Sequence, residues 1–264
     1  AMTDTTAADN TAVGQSALKV NTTGGNNTAV GSNALITNTT GGLNTAVGSS
    51  ALKMNTTGES NVAMGYEALE ENTTATGNTA LGYRAMKANT TGAGNTAVGY
   101  QAGDAITTGS YNTFLGQDAG TGTTTGGNNV AIGINALVAN VSGSYQVAIG
   151  RNALTNSNSP SGNVCVGYNT GQAITTGDGN VFMGYAAGDA TTTSDNNTGL
   201  GYGALGANTT GNRNVAIGSG ANGDGTTGSN NVVVGFACEL SAVGGSNQIV
   251  MGDTVTGVGD SNFT

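Results

Sequence analysis

Asn27-Thr28-Ala29-Val30-Gly31-Ser32-Asn33-Ala34-Leu35-Ile36-Thr37-Asn38-Thr39-Thr40-Gly41-Gly42-Leu43 is one turn of a repeat whose next copy opens at Asn44. Its fifth residue, Gly31, belongs to a series of glycines spaced seventeen apart from Gly14 to Gly252 without a slip. A period of this length marks a stacked array in which each unit completes its neighbour's core. Residues 10–264 divide into fifteen coils of seventeen, and residues 1–9 form a leader. Within that leader Asp4-Thr5-Thr6-Ala7 reads as a worn copy of Asn-Thr-Thr-Gly, Ala1-Met2 as a cloning remnant, and the chain as cut from a longer array.

Around each marker glycine the pattern is Asn-(Thr/Val)-Ala-(Val/Ile/Leu/Met)-Gly, followed in most coils by Ala-Leu and then Asn-Thr-Thr-Gly. The residue three before the glycine is Thr, Val or Ile in every coil, and the residue one before it is Val, Ile, Leu or Met. Residues two apart share one face of a strand. The pattern therefore predicts that this pair points inward and that the intervening residue, mostly Ala, forms an outward stripe from Ala12 to Ala216. A helix is excluded, since each interior glycine would cost it about 1 kcal/mol. The expected fold is all-β, a parallel β-solenoid of about fifteen coils with two short strands and two turns in each. At about 4.8 Å per coil it forms a rod roughly 70 Å long. The opening Asn is predicted to form a hydrogen-bonded ladder.

Composition agrees with a scaffold. There are 47 glycines and one proline, Pro160, in 264 residues, and 8% of residues are charged, for a net charge of -9. The phased aliphatic residues argue against disorder, the single proline against a collagen-like helix, and the negative charge against nucleic acid and anionic lipid as partners. No segment is apolar for long enough to form a membrane helix or resembles a signal peptide.

Four coils depart from the pattern in a coordinated way: Gly103, Gly120, Gly171 and Gly188 replace the usual Leu, while Ile106, Ile174, Phe114 and Phe182 replace smaller or polar residues nearby. Volume lost at one position is expected to return at another, and residues 100–129 and 168–197 look like copies of a duplicated 68-residue block. Cys165 and Cys238 stand four coils apart, about 19 Å, too far for a disulfide. They read as small apolar fillers.

No histidine is present, so histidine-based catalysis and histidine metal sites are ruled out within this chain. The acidic pairs Glu70-Glu71 and Asp178 with Asp195, and the isolated Gly177-Asp178-Gly179 and Gly223-Asp224-Gly225, give weak support to catalysis or calcium binding. The expectation is no enzyme, cofactor or metal. Three surface candidates remain. Tyr66, Tyr83 and Tyr100, and again Tyr168, Tyr185 and Tyr202, follow the marker glycine in successive coils and suggest a binding or interface ladder. Thr22, Thr39, Thr56, Thr73 and Thr90 suggest an outward threonine row like that of ice-binding solenoids. The alanine stripe suggests close approach of other copies.

Asn129-Val130-Ala131-Ile132-Gly133, Asn214-Val215-Ala216-Ile217-Gly218 and Gln146-Val147-Ala148-Ile149-Gly150 closely resemble the Ser-Val-Ala-Ile-Gly repeat of YadA-type heads of trimeric autotransporter adhesins, and the longer unit resembles phage tail-fibre repeats. The resemblance spans about 10–252, with a period longer than is usual for the adhesins. It implies a left-handed β-roll, a homotrimer, and a head or shaft of an extracellular bacterial-surface or virion fibre that attaches to a host protein or glycan. Ice binding and end-to-end filament assembly are the alternatives. Asn21, Asn38 and Asn55 also lie in glycosylation sequons, which matter only to a secreted eukaryotic product.

Overall fold

The computed structural model describes residues 7–258, so the readings of Ala1-Met2 and of Asp4 to Thr6 lie outside the described residues. It forms two compact units, Ala1–Asn129 and Val130–Thr264. The first carries β1 (Thr11–Val13), β2 (Thr28–Val30), β3 (Thr45–Val47), β4 (Val62–Met64), β5 (Thr79–Leu81), β6 (Thr96–Val98) and β7 (Thr113–Leu115). The second carries β8 (Val130–Ile132), β9 (Val147–Ile149), β10 (Val164–Val166), β11 (Val181–Met183), β12 (Thr198–Leu200), β13 (Val215–Ile217), β14 (Val232–Phe236) and β15 (Ile249–Asp253). Within each unit every strand pairs in parallel with the strand seventeen residues on, as in Thr28↔Thr45, Ala29↔Ala46 and Val30↔Val47. The chain is thus a β-solenoid, all-β among the described residues.

Each coil holds one strand rather than the two expected. The Ala-Leu half is a run of turns, because Asn33 at φ 60° and Leu35 at φ 50° take left-handed backbone that no strand can contain. The same two positions repeat along the chain, with Leu18, Leu52, Leu69, Leu137, Leu154 and Leu205 all left-handed. This conformation costs an ordinary residue about 1–2 kcal/mol. Burial offsets it, since each of these leucines is fully enclosed, and fully burying such a side chain contributes about 1.5–3 kcal/mol.

The strands face the opposite way from the sequence expectation. Ala29, Ala46, Ala63, Ala80 and Ala97 are completely buried, whereas their Thr, Val, Leu and Met neighbours are half-exposed or exposed. The reason is width. The strand lies across a narrow interior from Ala34 and Leu35, and where a leucine stands opposite only a methyl group fits beneath it. The alanine stripe therefore lines the core and cannot be an oligomer surface.

That core is partly polar. Asn27 is fully buried; its Oδ1 accepts from the Asn44 N–H at 2.9 Å and its Nδ2 donates to the Gly41 carbonyl at 2.9 Å. The ladder expected at this position is present, built mainly from side chain to backbone. A second ladder, which sequence reasoning missed, runs through Asn21, Asn38, Asn55, Asn72 and Asn89, joined amide to amide at 2.8 to 2.9 Å. Satisfying both ends of each amide is what makes its burial affordable.

The duplicated departures compensate as expected. Ile106, Ile174, Phe114 and Phe182 are fully buried, and a Cβ at Gly120 would lie 2.6 Å from the Phe114 ring. Cys165 is likewise a core filler, 2.6 Å from where a Cβ of Gly171 would sit. Phe182 also spreads into the next coil, where a Cβ at Gly199 would come within 2.9 Å of its ring. Gly199 is accordingly the strand residue of β12 where Ala is usual.

The marker glycines lock the stack. Gly48 has φ +137°, and a Cβ there would lie 2.7 Å from the carbonyl carbon of Gly65 and nearer still to its oxygen. Gly77, at φ +69°, has nothing within 4 Å of the place a Cβ would take. Gly48→Ala is therefore expected to cost about 3 kcal/mol or more, combining backbone strain with overpacking. Gly77→Ala should cost only the left-handed penalty of about 1 kcal/mol. The urea midpoints of the two variants test this, and equal shifts would refute the steric account of the period.

Candidate functional site

Both tyrosine ladders form as the spacing predicts. Tyr66 and Tyr83 stack at 5.6 Å with an interplanar angle of 12°, and Tyr83 and Tyr100 at 5.1 Å and 8°. In the second unit Tyr168 and Tyr185 stack at 5.2 Å and 17°, and Tyr185 and Tyr202 at 5.1 Å and 6°. All six rings are exposed. Because the rings lie nearly parallel to one another, each ladder covers its inner faces and turns hydroxyls and positive ring edges to solvent. A sugar that needs a bare aromatic face finds one only at the ladder ends.

A charged cluster beside the first ladder was not foreseen as a unit. Arg84 Nε meets Glu67 Oε2 at 2.8 Å, Lys87 Nζ meets the same oxygen at 3.1 Å and Glu70 at 3.5 Å, and Lys53 meets Glu70 at 3.1 Å. The signal was available in the period: Lys53, Glu70, Lys87 and Asp104 hold one position in four successive coils, with alternating sign. Arg84 also lies over the Tyr83 ring, 5.2 Å from its centroid. Burial pushes the Glu67 carboxyl up, but interactions with Tyr66, Lys87 and Arg84 outweigh it and hold the group below its ordinary value. The hydrogen bond to Glu67 pushes the Tyr66 hydroxyl up. Burial pushes the Asp104 carboxyl up against the pull of Lys87 and Arg84.

The threonine row expected at Thr22, Thr39, Thr56, Thr73 and Thr90 is displaced by one residue. The Thr22 hydroxyl donates to the Thr39 carbonyl at 2.9 Å, and Thr39, Thr56, Thr73 and Thr90 repeat this bond at 3.0 to 3.1 Å. Those hydroxyls tie coil to coil; Thr22 is exposed and Thr39, Thr56, Thr73 and Thr90 are half-exposed, whereas the second of each pair, Thr23, Thr40, Thr57, Thr74 and Thr91, is exposed throughout.

Three members of the carboxylate pairs, Glu70, Asp178 and Asp195, are engaged within the chain. Glu70 is held by Lys53 and Lys87. Asp195 Oδ1 accepts from the Asp178 N–H at 2.8 Å, and Asp178 Oδ1 from the Ser161 N–H at 2.6 Å, so each carboxylate caps the backbone of the coil before it. Among the described residues no group of three or more His, Cys, Asp or Glu side chains could hold a metal ion, and no cavity opens. Burial pushes the Cys165 thiol up, which disfavours the reactive thiolate. Asn21, Asn38 and Asn55 are fully enclosed, so their sequons are inaccessible in the folded coil.

The outer side of the strands is exposed and aliphatic. In the first unit the position before the marker glycine places Met64, Leu81 and Leu115 in solvent, with Val30, Val47 and Val98 half-exposed. Met183, Ile217 and Met251 do the same in the second unit. Among the described residues no helix is long and apolar enough to cross a membrane. No protein-family model matches the chain, and no curated protein matches it.

Glu67, whose folded value lies below its unfolded one, contributes stability that is present above the ordinary 4.5 and is lost as pH falls through the lower folded value. Glu67→Gln is expected to remove Glu67's own share of the acid-side stability loss, which falls below its ordinary 4.5, while leaving the neutral-pH fold intact. Thermal melts of both proteins from neutral to acid pH check this. Parallel curves would show that the cluster has no linked role.

Proposed function

We propose that the chain is a structural and adhesive segment of a homotrimeric surface or virion fibre. The observation that supports this reading is the aliphatic outer face of the strands. In the first unit seven strands at about 4.8 Å make a strip about 29 Å long, with Val, Met or Leu repeating along it. A regular apolar strip open to water marks an association surface. The repeat resemblance supplies the rest of the reading: a left-handed winding, three chains about a common axis, and an extracellular segment that projects toward a host protein or glycan.

The interface so proposed differs from the alanine stripe, which is inside the coil. It uses the opposite side of the same strands, and Val30, Val47, Met64 and Leu81 would meet their counterparts in the other chains. Tyrosine hydroxyls at the edge of this face supply polar contacts at the rim, where an attachment ligand could bind. The ice-binding alternative would have to use the second threonine of each pair, since the first-threonine hydroxyls already bond to backbone carbonyls.

Sedimentation equilibrium of the purified chain is expected to give three times its 25.5 kDa. The combined variant Val30→Lys, Val47→Lys, Leu81→Lys should give the single-chain mass with an unchanged β spectrum, since these side chains point to solvent in one chain. A wild-type protein that stays at the single-chain mass at high concentration would sink the trimer. Screening on arrayed glycans and matrix proteins then separates an adhesive head from a shaft, which would bind nothing above background.

A further inference from the structure

The two tyrosine ladders are alike in stacking and unlike in what surrounds them. In the first, the residues following the tyrosines are Glu67, Arg84 and Gln101; in the second they are Asn169, Ala186 and Gly203. Arg84 is fixed by Glu67 at 2.8 Å and sits over Tyr83, so the first ladder carries its own cation. At the matching place in the second ladder Ala186 presents a methyl group beside Tyr185, and a Cβ on Gly203 would meet nothing within 4 Å. Tyr185 and Tyr202 are 50% and 64% exposed, against 37% and 50% for Tyr83 and Tyr100, whereas the first ring of the second ladder, Tyr168, is 39% exposed against 47% for Tyr66. Charge differs in the same sense. Between Arg151 and Arg213 the chain has Asp178, Asp189 and Asp195 and no lysine or arginine. Arg151 holds the ladder position one coil before Tyr168, which leaves the Tyr185–Tyr202 end as the part without a resident cation.

We infer that the Tyr185–Tyr202 end of the second ladder is a docking strip for an arginine-bearing segment of a partner polypeptide. The partner's guanidinium would take the place beside Tyr185 that Arg84 takes beside Tyr83. Arginine suits the position better than lysine because its fork of N–H donors can reach the hydroxyl edge of Tyr185 while its plane lies against the outer face of Tyr202, which no further tyrosine covers. The acidic stretch supplies the long-range attraction, and the ladder supplies the local selection. This inference needs only that Tyr185 and Tyr202 be accessible; it does not rest on the trimer.

The test uses the whole chain and a labelled nine-residue oligoarginine peptide, read by fluorescence anisotropy at physiological salt, with oligolysine of equal length as the comparison. Wild type should bind oligoarginine several-fold more tightly than oligolysine. Tyr185→Ser with Tyr202→Ser should weaken oligoarginine binding about fivefold or more without changing net charge. These variants are compatible with the fold, because Ser32, Ser49 and Ser219 hold the same coil position. Asn169→Glu with Ala186→Arg, which installs the first ladder's own cation at unchanged net charge, should weaken binding by a similar factor. Conversely Arg84→Ala should create a second site of comparable affinity at Tyr83. If the serine variants or the installed ion pair bind as wild type does, or if oligolysine binds equally well, the attraction is general electrostatics and the inference is overturned.

Discussion

Everything in this molecule follows from backbone lying on backbone at the marker glycine. Gly31, Gly48, Gly65 and Gly82 each lack room for a single added carbon, because the carbonyl of the next marker glycine occupies that volume. Their φ values near +140° belong to glycine alone. With the coils held this close, the N–H of Gly48 reaches the Val30 carbonyl at 2.8 Å and the N–H of Ser50 reaches that of Ser32 at 2.9 Å. One inserted or deleted residue would move every later column out of line, so geometry holds the seventeen-residue period constant along the chain.

Close stacking sets the coil's contents as well. An interior only as wide as Ala29 facing Ala34 and Leu35 cannot exclude the polar corners, so the asparagines of both turns lie inside it. Identical residues in successive coils turn this liability into a repeating bond: one amide accepts from the coil after it and donates across the turn. Where the repeat changes, the bonding breaks. Ile106 follows Asn89 in its column, and Asn89 Oδ1 is left buried without a partner. Such an orphaned oxygen costs about 1–3 kcal/mol, which the buried bulk of Ile106 and Phe114 offsets.

The period, the parallel strands, the first asparagine ladder, the compensating phenylalanines and both tyrosine stacks were legible in the residues. Those features depend on spacing, and spacing is printed in the sequence. What misled was size. Thr28-Ala29-Val30 reads as two large residues in and one small residue out only if the interior has room for the large ones. The same pattern with the faces exchanged is what a narrow coil requires, and hydrophobicity alone does not distinguish them. The missing second strand has a similar origin, because no composition rule predicts leucine in left-handed backbone; only its complete burial at Leu35 and Leu52 explains it. The threonine row slipped by one for a different reason. Which hydroxyl of Thr39-Thr40 finds a carbonyl depends on the turn, and the turn was unknown.

The interior columns are bound by stacking and the outer ones are not, and this difference locates functional variation. The position after the marker glycine holds Gln15, Ser32, Ser49, Gln117, Ile134, Arg151, Ser219, Phe236 and Asp253 besides the six tyrosines. A column free to vary yet occupied by tyrosine in runs of three has been filled for a property of the run. Stacking provides that property only between adjacent coils, where rings at 5.1 to 5.6 Å order one another. An isolated tyrosine at the same position would have no neighbour to hold its ring. The runs therefore create one preorganised row of hydroxyls in each unit. Their flanking residues then separate them: Glu67 and Arg84 flank the first row with charges of the chain's own, and Asn169, Ala186 and Gly203 bring none to the second.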